Sequence, residues 1–100
     1  MRVIAKKALV EYSAEHKDAE TALGDWYVKT VDADWDWDCF ADIRRTFNSA
    51  DYVGNNRIVF NIRGNQYRLV TLVLFRIKMV YIRFIGTHEE YDRIRNIEKI

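Results

Sequence analysis

The chain has 100 residues, which allows one domain built on a single hydrophobic core. Hydrophobic residues make up 49% of the sequence and aromatic residues 14%, which excludes a generally disordered polypeptide. The lone cysteine, Cys39, excludes an internal disulfide, and no apolar run approaches the roughly 20 residues that span a bilayer. We therefore expect one soluble domain over residues 1–100 in the reducing cytoplasm, without membrane association.

Charge is divided unevenly along the chain, although the net charge is only +1. Between Glu11 and Asp51 there are 11 acidic and four basic residues, whereas from Arg57 to Arg83 there are six basic residues and no acidic ones. A well-solvated surface accounts for many such charge clusters. A basic half also suits binding of a polyanion that the acidic half repels elsewhere.

The first third of the chain predicts a short strand followed by a helical hairpin. Residues 2–4 are compatible with the strand. Apolar side chains then recur every three to four positions over residues 5–12 and again over residues 19–27, which is typical of two amphipathic helices. Asp18 stands just before the second run and is predicted to cap that helix at its N-terminus.

An acidic segment at residues 32–38 alternates aspartate with alanine or tryptophan. A carboxylate metal site is one interpretation, but an EF-hand loop requires glycine at its sixth position and glutamate at its twelfth. Neither occurs from either possible starting aspartate. The favoured interpretation is a solvated loop anchored by Trp35 and Trp37, followed by a short helix near residues 40–47, with no bound metal.

From residue 52 onward the pattern changes to period two and to β-branched and aromatic residues. Strands are predicted at residues 57–62, 67–75 and 79–85, with Gly64-Asn65 as a two-residue hairpin turn and Ile77-Lys78 as the second turn. A terminal helix is predicted over residues 88–97.

These turns also predict which side chains share a sheet face. They place Asn61 across from Arg68, and Arg68 across from Thr87. The opposite face is nearly all apolar, includes Phe84 and is predicted to pack on the helices, whereas Ile85 would lie on the first face. The polar side chains expected together on that first face are Asn61, Arg68, Arg83 and Thr87.

Histidine and arginine carry the candidate chemistry. The sequence has no cysteine–histidine pair, serine elbow or phosphate-binding loop, and two histidines with one cysteine are too few for a persuasive zinc site. Arginine presents a planar fork of donors that fits a phosphate, and histidine exchanges a proton near neutrality. His88 beside Arg68 and Arg83 therefore indicates attack at phosphorus. Each also has a structural interpretation, His88 as a packing residue that opens the helix and the arginines as partners of the acidic loop.

Segments in the C-terminal half resemble the HigB-type toxins of bacterial type II toxin–antitoxin systems. They are Val59-Phe60-Asn61-Ile62, Gly64-Asn65, Tyr67-Arg68-Leu69-Val70, Tyr81-Ile82-Arg83-Phe84, Gly86-Thr87-His88 and Glu90-Tyr91-Asp92. The opening residues 2–7, and Ala41-Asp42-Ile43 with Phe47, are also similar, so the resemblance spans nearly the whole chain.

The resemblance implies a RelE-like α+β fold, in which an N-terminal helical hairpin packs on an antiparallel sheet and a short C-terminal helix follows. It also implies an mRNA endonuclease that needs no metal or other cofactor and cuts translated messages on the ribosome. The implied protein partner is a HigA-type antitoxin with a helix-turn-helix domain, and operator DNA would be bound only through the toxin–antitoxin complex.

The mechanism implied by the resemblance is attack of a ribose 2′-hydroxyl on the adjacent phosphate, which leaves a 2′,3′-cyclic phosphate and a 5′-hydroxyl. His88 would act as general base or acid, Arg68 and Arg83 would hold the phosphate, and Tyr91 would stack on a base or assist proton transfer. If only one arginine holds the scissile phosphate, Arg68 is the better placed beside His88. The further RNA contacts expected are Asn61, Thr87, Lys6, Lys7 and Arg63.

Two alternatives from other classes stay open on the sequence. One is a non-catalytic RNA-binding module that uses the same basic sheet face. The other is a protein-interaction subunit that docks through Trp35, Trp37 and the acidic segment.

Overall fold

A computed structural model of the chain describes residues 1–33 and 36–100, so the predictions made for Asp34 and Trp35 lie outside the described residues. The elements in chain order are β1 (Arg2–Ile4), α1 (Lys6–Glu15), α2 (Glu20–Val31), α3 (Phe40–Thr46), β2 (Asp51–Gly54), β3 (Arg57–Ile62), β4 (Tyr67–Leu74), β5 (Met79–Thr87) and α4 (His88–Asp92). Single 3₁₀ turns occur at Lys17–Ala19, Phe75–Ile77 and Ile97–Lys99. The predicted α+β class, with an N-terminal helical hairpin, a sheet and a short C-terminal helix, is confirmed.

The described strands form one sheet in the order β1-β5-β4-β3-β2. The predicted meander of β3, β4 and β5 lies at its centre and is antiparallel, as is the pair of β2 with β3. The edge strand β1 differs from the antiparallel prediction because it runs parallel to β5. Among the residues described, none of the helices is long and apolar enough to cross a membrane.

The core lies between the helices and one face of the sheet. Leu9 of α1 and the α2 residues Leu23 and Trp26 are almost completely buried, because their spacing places them on one helical face. The Trp26 ring packs edge-on against Phe60 of β3 at a centroid distance of 5.4 Å. This aromatic contact joins the helical hairpin to the centre of the sheet.

The acidic segment is attached to the core by its second tryptophan. Trp37 is fully buried, and its indole N–H donates to Thr46 Oγ1 at 3.2 Å, which confirms its predicted anchoring role. The Lys78 ammonium donates to Trp37 O and to Asp38 Oδ1, both at 2.8 Å. In the described ranges, no three His, Cys, Asp or Glu side chains are grouped so as to hold a metal ion.

The prediction that Asp18 caps α2 is wrong. Residues Lys17–Ala19 form a 3₁₀ turn, and Ala19 occupies the N-cap position of α2 without a side-chain hydrogen bond. The Asp18 carboxylate instead accepts hydrogen bonds from the Tyr67 hydroxyl at 2.6 Å and from Arg63 Nη1 at 2.7 Å. The Asp18 carboxylate therefore binds residues distant in sequence and does not cap α2. These hydrogen bonds connect the tip of the helical hairpin to the start of β4.

The register of the first central hairpin is confirmed, whereas that of the second is wrong. Asn61 lies across from Arg68, as predicted. On the other side Arg68 pairs with Gly86, and Thr87 pairs with Tyr67. Two local features cause the shift: the chain turns through the 3₁₀ helix Phe75–Ile77 instead of a two-residue turn, and a β-bulge interrupts the β4–β5 pairing next to Val70 and Thr71.

The bulge places Phe84 and Ile85 on the opposite sheet faces from those predicted. Val70 pairs with Phe84 and Thr71 with Ile82, so Arg83 is the extra residue of β5. Phe84 therefore lies on the face of Arg68, and Ile85 packs against the core. Both predictions were wrong because a single inserted residue reverses the alternation beyond it.

The predicted terminal helix ends earlier than residue 97. Helix α4 spans only His88–Asp92, and Asn96 adopts a left-handed conformation with φ 55°. The following residues contact the β2–β3 hairpin, where Asn55 Nδ2 donates to Glu98 O at 3.2 Å and Arg57 Nη2 donates to Ile100 O at 2.7 Å. The chain after α4 thus lies against the edge of the sheet farthest from β1.

Candidate active site

Two of the candidate catalytic residues, Arg68 and His88, stand at strand ends on the side of the sheet that carries the β3–β4 turn. Arg68 is the second residue of β4 and lies between Asn61 of β3 and Gly86 of β5. His88 follows β5 directly as the first residue of α4, and its main-chain N–H donates to Gln66 O at 3.0 Å. The end of β5 therefore places the main chain of His88 beside the start of β4, where Arg68 lies.

The Arg68 side chain is half-buried and its guanidinium is held in place. Its Nη2 donates to Asn65 Oδ1 at 2.8 Å, and Nη1 makes longer contacts of 3.4 Å with the main-chain oxygens of Asn65 and Tyr67. The guanidinium carbon lies 5.9 Å from the centroid of the Tyr91 ring, within range of a cation–π interaction. Because a guanidinium has five N–H donors, this arrangement leaves donors for a phosphate.

Tyr91 carries its hydroxyl in a partly buried environment beside Arg68. Burial raises the pKa of Tyr91 above its ordinary value of 10.0, Arg68 opposes that shift, and Asp51 adds to it. The hydroxyl is therefore protonated at neutral pH and is suited to donating a proton or a hydrogen bond. The sequence reasoning did not include Asp51 in the site, although it stands at the start of β2.

His88 is oriented by a carboxylate on its own helix. Its Nδ1 lies 2.8 Å from Asp92 Oδ2, one helical turn further along α4. A hydrogen bond from Nδ1 leaves Nε2 as the ring nitrogen that can take up a proton. Sequence reasoning missed this role of Asp92, although the i, i+4 spacing within a predicted helix was a usable signal.

A capping box fixes the start of α4. Thr87 Oγ1 accepts the Glu90 N–H at 3.2 Å, and Glu90 Oε1 accepts the Thr87 N–H at 2.9 Å. Hydrogen bonding to the Thr87 main-chain N–H, and then to the Thr87 side chain, holds the pKa of the Glu90 carboxyl below its ordinary value. The Thr87 hydroxyl, predicted to contact RNA beside Arg68, is used as the cap and lies across from Tyr67 instead.

Gly86 is packed too closely to accept a side chain. A Cβ at this position would lie 2.5 Å from Phe84 Cζ and 3.2 Å from Glu90 Oε1. We expect Gly86→Ala to lower the free energy of unfolding by about 1–2 kcal/mol, because the Phe84 ring and the capping carboxylate must both move. Urea denaturation of the purified protein measures the effect.

The matched control is Gly24→Ala. Gly24 is exposed on α2, and a Cβ there meets nothing within 4 Å. Alanine is the better helix former, so this variant should be as stable as the parent or more stable, by up to about 1 kcal/mol. Equal stability of the two variants would contradict the packing assigned to Gly86.

The remaining predicted RNA contacts are distributed over the molecule. Arg63 Nη1 is engaged by Asp18 and by Gln66 Oε1 at 2.6 Å. Lys6 and Lys7 lie on α1, where Lys6 Nζ is 4.5 Å from the centroid of the Tyr27 ring and Lys7 pairs with Glu11 at 3.6 Å. Arg63 thus lies in the β3–β4 turn before the start of β4, whereas Lys6 and Lys7 lie on α1.

Arg83 is exposed at the bulge of β5. Because Arg68 lies across from Gly86, Arg83 stands three residues along the strand from that pair, or about 10 Å at strand rise. The corrected register brings it one residue closer to Arg68 than the sequence predicted. Two long side chains at this spacing can contact neighbouring phosphates of one strand.

A family model agrees with the resemblance noted in the sequence. The model for the HigB toxin, described as the RelE-like toxic component of a toxin–antitoxin system, matches residues 19–94. The matched range contains Asn61, Arg68, Arg83 and His88.

Three curated proteins are similar over most of their length. They are an mRNA interferase toxin HigB of Escherichia coli K12 and mRNA interferases HigB of Escherichia coli O157:H7 and Shigella flexneri. Each is 34% identical over 98 residues, which covers 92% of this chain and 88% of the relative.

Proposed function

This chain belongs to the HigB family of RelE-like toxins, and from that premise we propose that it is an endoribonuclease that cleaves mRNA. The observation that supports the proposal is the placement of Arg68 and His88 on adjoining strand ends, where Arg68 pairs with Gly86 and the His88 N–H donates to Gln66 O. A phosphate-binding cation beside a group that exchanges protons near neutral pH is what phosphoryl transfer requires.

The proposed reaction is an internal transfer at phosphorus. The ribose 2′-oxygen forms a bond to the adjacent phosphorus while the bond from phosphorus to the 5′-oxygen breaks. His88 Nε2 takes the proton from the 2′-hydroxyl, since Asp92 holds the other ring nitrogen. Tyr91, protonated at neutral pH, donates a proton to the departing 5′-oxygen. The products are a 2′,3′-cyclic phosphate and a 5′-hydroxyl, with no metal or cofactor required.

The substrate is bound by two arginines and an asparagine amide. The Arg68 fork neutralises the scissile phosphate, where negative charge accumulates during the transfer. Arg83 binds a neighbouring phosphate, and the Asn61 amide, across from Arg68, orients the backbone. We propose that the substrate is translated mRNA on the ribosome, so the enzyme acts in the cytoplasm. Its activity is blocked by a HigA-type helix-turn-helix antitoxin, and operator DNA is contacted through that complex alone.

Loss of the Asp92 carboxylate, which contacts His88 Nδ1, should slow cleavage without abolishing it. We expect Asp92→Asn to lower kcat by roughly 10- to 100-fold, because displacing a reacting group by 1 Å can cost about 10²-fold. The asparagine keeps a hydrogen-bonding group but removes the charge that stabilises the imidazolium. Single-turnover cleavage rates measure the effect. A rate equal to that of the parent would remove Asp92 from the mechanism.

The test of the function is expression in growing bacteria. Expression should arrest growth, co-expression of the antitoxin should restore it, and primer extension should map new RNA ends inside translated reading frames. A reporter message without a ribosome-binding site should stay intact if cleavage requires the ribosome. RNA binding without new ends would support the non-catalytic module instead, and growth without arrest or new ends would refute the toxin assignment.

A further inference from the structure

The tip of the helical hairpin is hydrogen-bonded to the β3–β4 turn through the Asp18 carboxylate, which the proposed cleavage mechanism does not use. Asp18 Oδ1 accepts from the Tyr67 hydroxyl at 2.6 Å, and Asp18 Oδ2 accepts from Arg63 Nη1 at 2.7 Å. The same Arg63 nitrogen donates to Gln66 Oε1 at 2.6 Å. We call Asp18, Arg63, Gln66 and Tyr67 the tip clamp.

The tip clamp continues directly into the main chain at His88. Gln66, whose side chain is held by Arg63, accepts the His88 N–H on its carbonyl oxygen at 3.0 Å. Tyr67, whose hydroxyl is held by Asp18, pairs across the sheet with Thr87, the residue that caps α4. Two separate paths therefore lead from Asp18 to the start of α4.

Aromatic packing keeps the Tyr67 ring in place. The rings of Tyr12 and His16 stack at 4.0 Å, and each meets the Tyr67 ring edge-on, at 5.8 Å and 5.9 Å. The hydrogen bond from Tyr67 lowers the pKa of Asp18, and Asp18 in turn raises the pKa of Tyr67. At neutral pH the carboxylate is ionised and the phenol protonated, so the bond between them persists.

We propose that Asp18 is a positioning residue for cleavage, which fixes the place of His88 by holding the β3–β4 turn against the helical hairpin. The inference rests on the proposed ribonuclease function, since it assigns Asp18 to the support of that active site. Asp18 and His88 also line one open groove of about 510 Å³. A shift of the turn therefore changes the groove where RNA approaches the imidazole.

Because the tip clamp is exposed, we expect it to matter more for the geometry of the active site than for the stability of the fold. The side chains of Arg63 and Asp18 are 47% and 46% exposed, and ion pairs at such sites contribute little to folding. Catalysis is more sensitive, because a displacement of about 1 Å can reduce a rate by 10²-fold. Removal of the carboxylate should therefore affect turnover much more than unfolding.

The first experiment compares Asp18→Ala and Asp18→Asn with the control Asp25→Ala. Asp25 lies on α2 and pairs with Lys29 of the same helix at 3.1 Å. We expect Asp18→Ala to lower kcat by roughly tenfold with KM changed by less than about twofold. An asparagine side chain retains one acceptor oxygen, so Asp18→Asn should recover part of the rate, and Asp25→Ala should match the parent. Equal kcat in Asp18→Ala and the parent, or a loss confined to KM, would overturn the proposal.

The second experiment needs no enzymatic activity. Hydrogen exchange at the His88 amide, which donates to Gln66 O, should be several-fold faster in Asp18→Ala, because opening of that bond is a local event. Exchange at amides in the centre of β4 should be unchanged. Unchanged exchange at His88 would overturn the inference even if the parent cleaves RNA. Faster exchange at His88 in a protein that cleaves no RNA would refute the proposed function and leave the clamp intact.

Discussion

His88→Ala should eliminate growth arrest and reduce the rate of RNA cleavage by roughly 10²- to 10⁴-fold, the range expected when a general base is removed. The His88 imidazole is oriented by a carboxylate, since its Nδ1 lies 2.8 Å from Asp92 Oδ2. Water must replace it as proton acceptor in the variant. Single-turnover cleavage of a translated message, followed by primer extension, measures the rate.

The neighbouring residue provides the control for His88→Ala. Glu89 is the next residue of α4 and is exposed, so Glu89→Gln changes the same turn of helix without removing the imidazole. Its cleavage rate should lie close to that of the parent. The side chain of His88 is 42% exposed, so His88→Ala should remain folded, as circular dichroism can verify. Full cleavage by folded His88→Ala would exclude His88 as the base.

Arg68→Ala should have the second large effect, a loss of roughly 10²- to 10³-fold in kcat, as when one donor to a developing oxyanion is removed. The Arg68 fork is already oriented by Asn65 and Tyr91, so little ordering is needed when a phosphate binds. Arg68→Lys keeps the positive charge but loses the planar fork, and it should recover only part of the rate. Cleavage rates at saturating RNA separate this effect from weaker binding.

Arg76→Ala is the matched control for Arg68→Ala. Arg76 is exposed in the 3₁₀ turn that follows the far end of β4, so the variant removes one positive charge from the same chain segment at the opposite end of the strand. A general electrostatic role of the basic stretch would make the two variants equal. The proposed mechanism requires Arg68→Ala to be much slower, and equal rates would count against a specific contact with the scissile phosphate.

The first central hairpin could be predicted from the sequence because its turn is local. Gly64 has φ 63°, a conformation that glycine adopts readily, and the turn at Gly64-Asn65 sets Asn61 across from Arg68. The second hairpin could not be predicted in the same way. Its turn contains a 3₁₀ helix and Lys78 with φ 58°, and the sequence Phe75-Arg76-Ile77-Lys78 has no glycine, proline, asparagine or aspartate to indicate either.

The bulge in β5 had the largest consequence for the candidate site. Strict alternation placed Thr87 beside Arg68 and Phe84 in the core, whereas the extra residue Arg83 puts Gly86 beside Arg68 and Phe84 on the same face. The glycine at this position leaves room for the Phe84 ring, whose Cζ would lie 2.5 Å from a Cβ at Gly86. His88 follows β5 under either register, so its main chain lies near the start of β4 in both cases, and joint action of the Arg68 and His88 side chains stays a prediction.

Residue chemistry and local periodicity in the sequence were sufficient to identify the helical hairpin and the central strands. These features depend on neighbours within one helical turn or one hairpin. Tertiary structure alone decided the register of β5 and the hydrogen-bond partners of Asp18, of which Tyr67 is 49 residues away. The reason is physical: a carboxylate that satisfies a local cap in isolation binds a distant phenol and guanidinium once folding has brought them together.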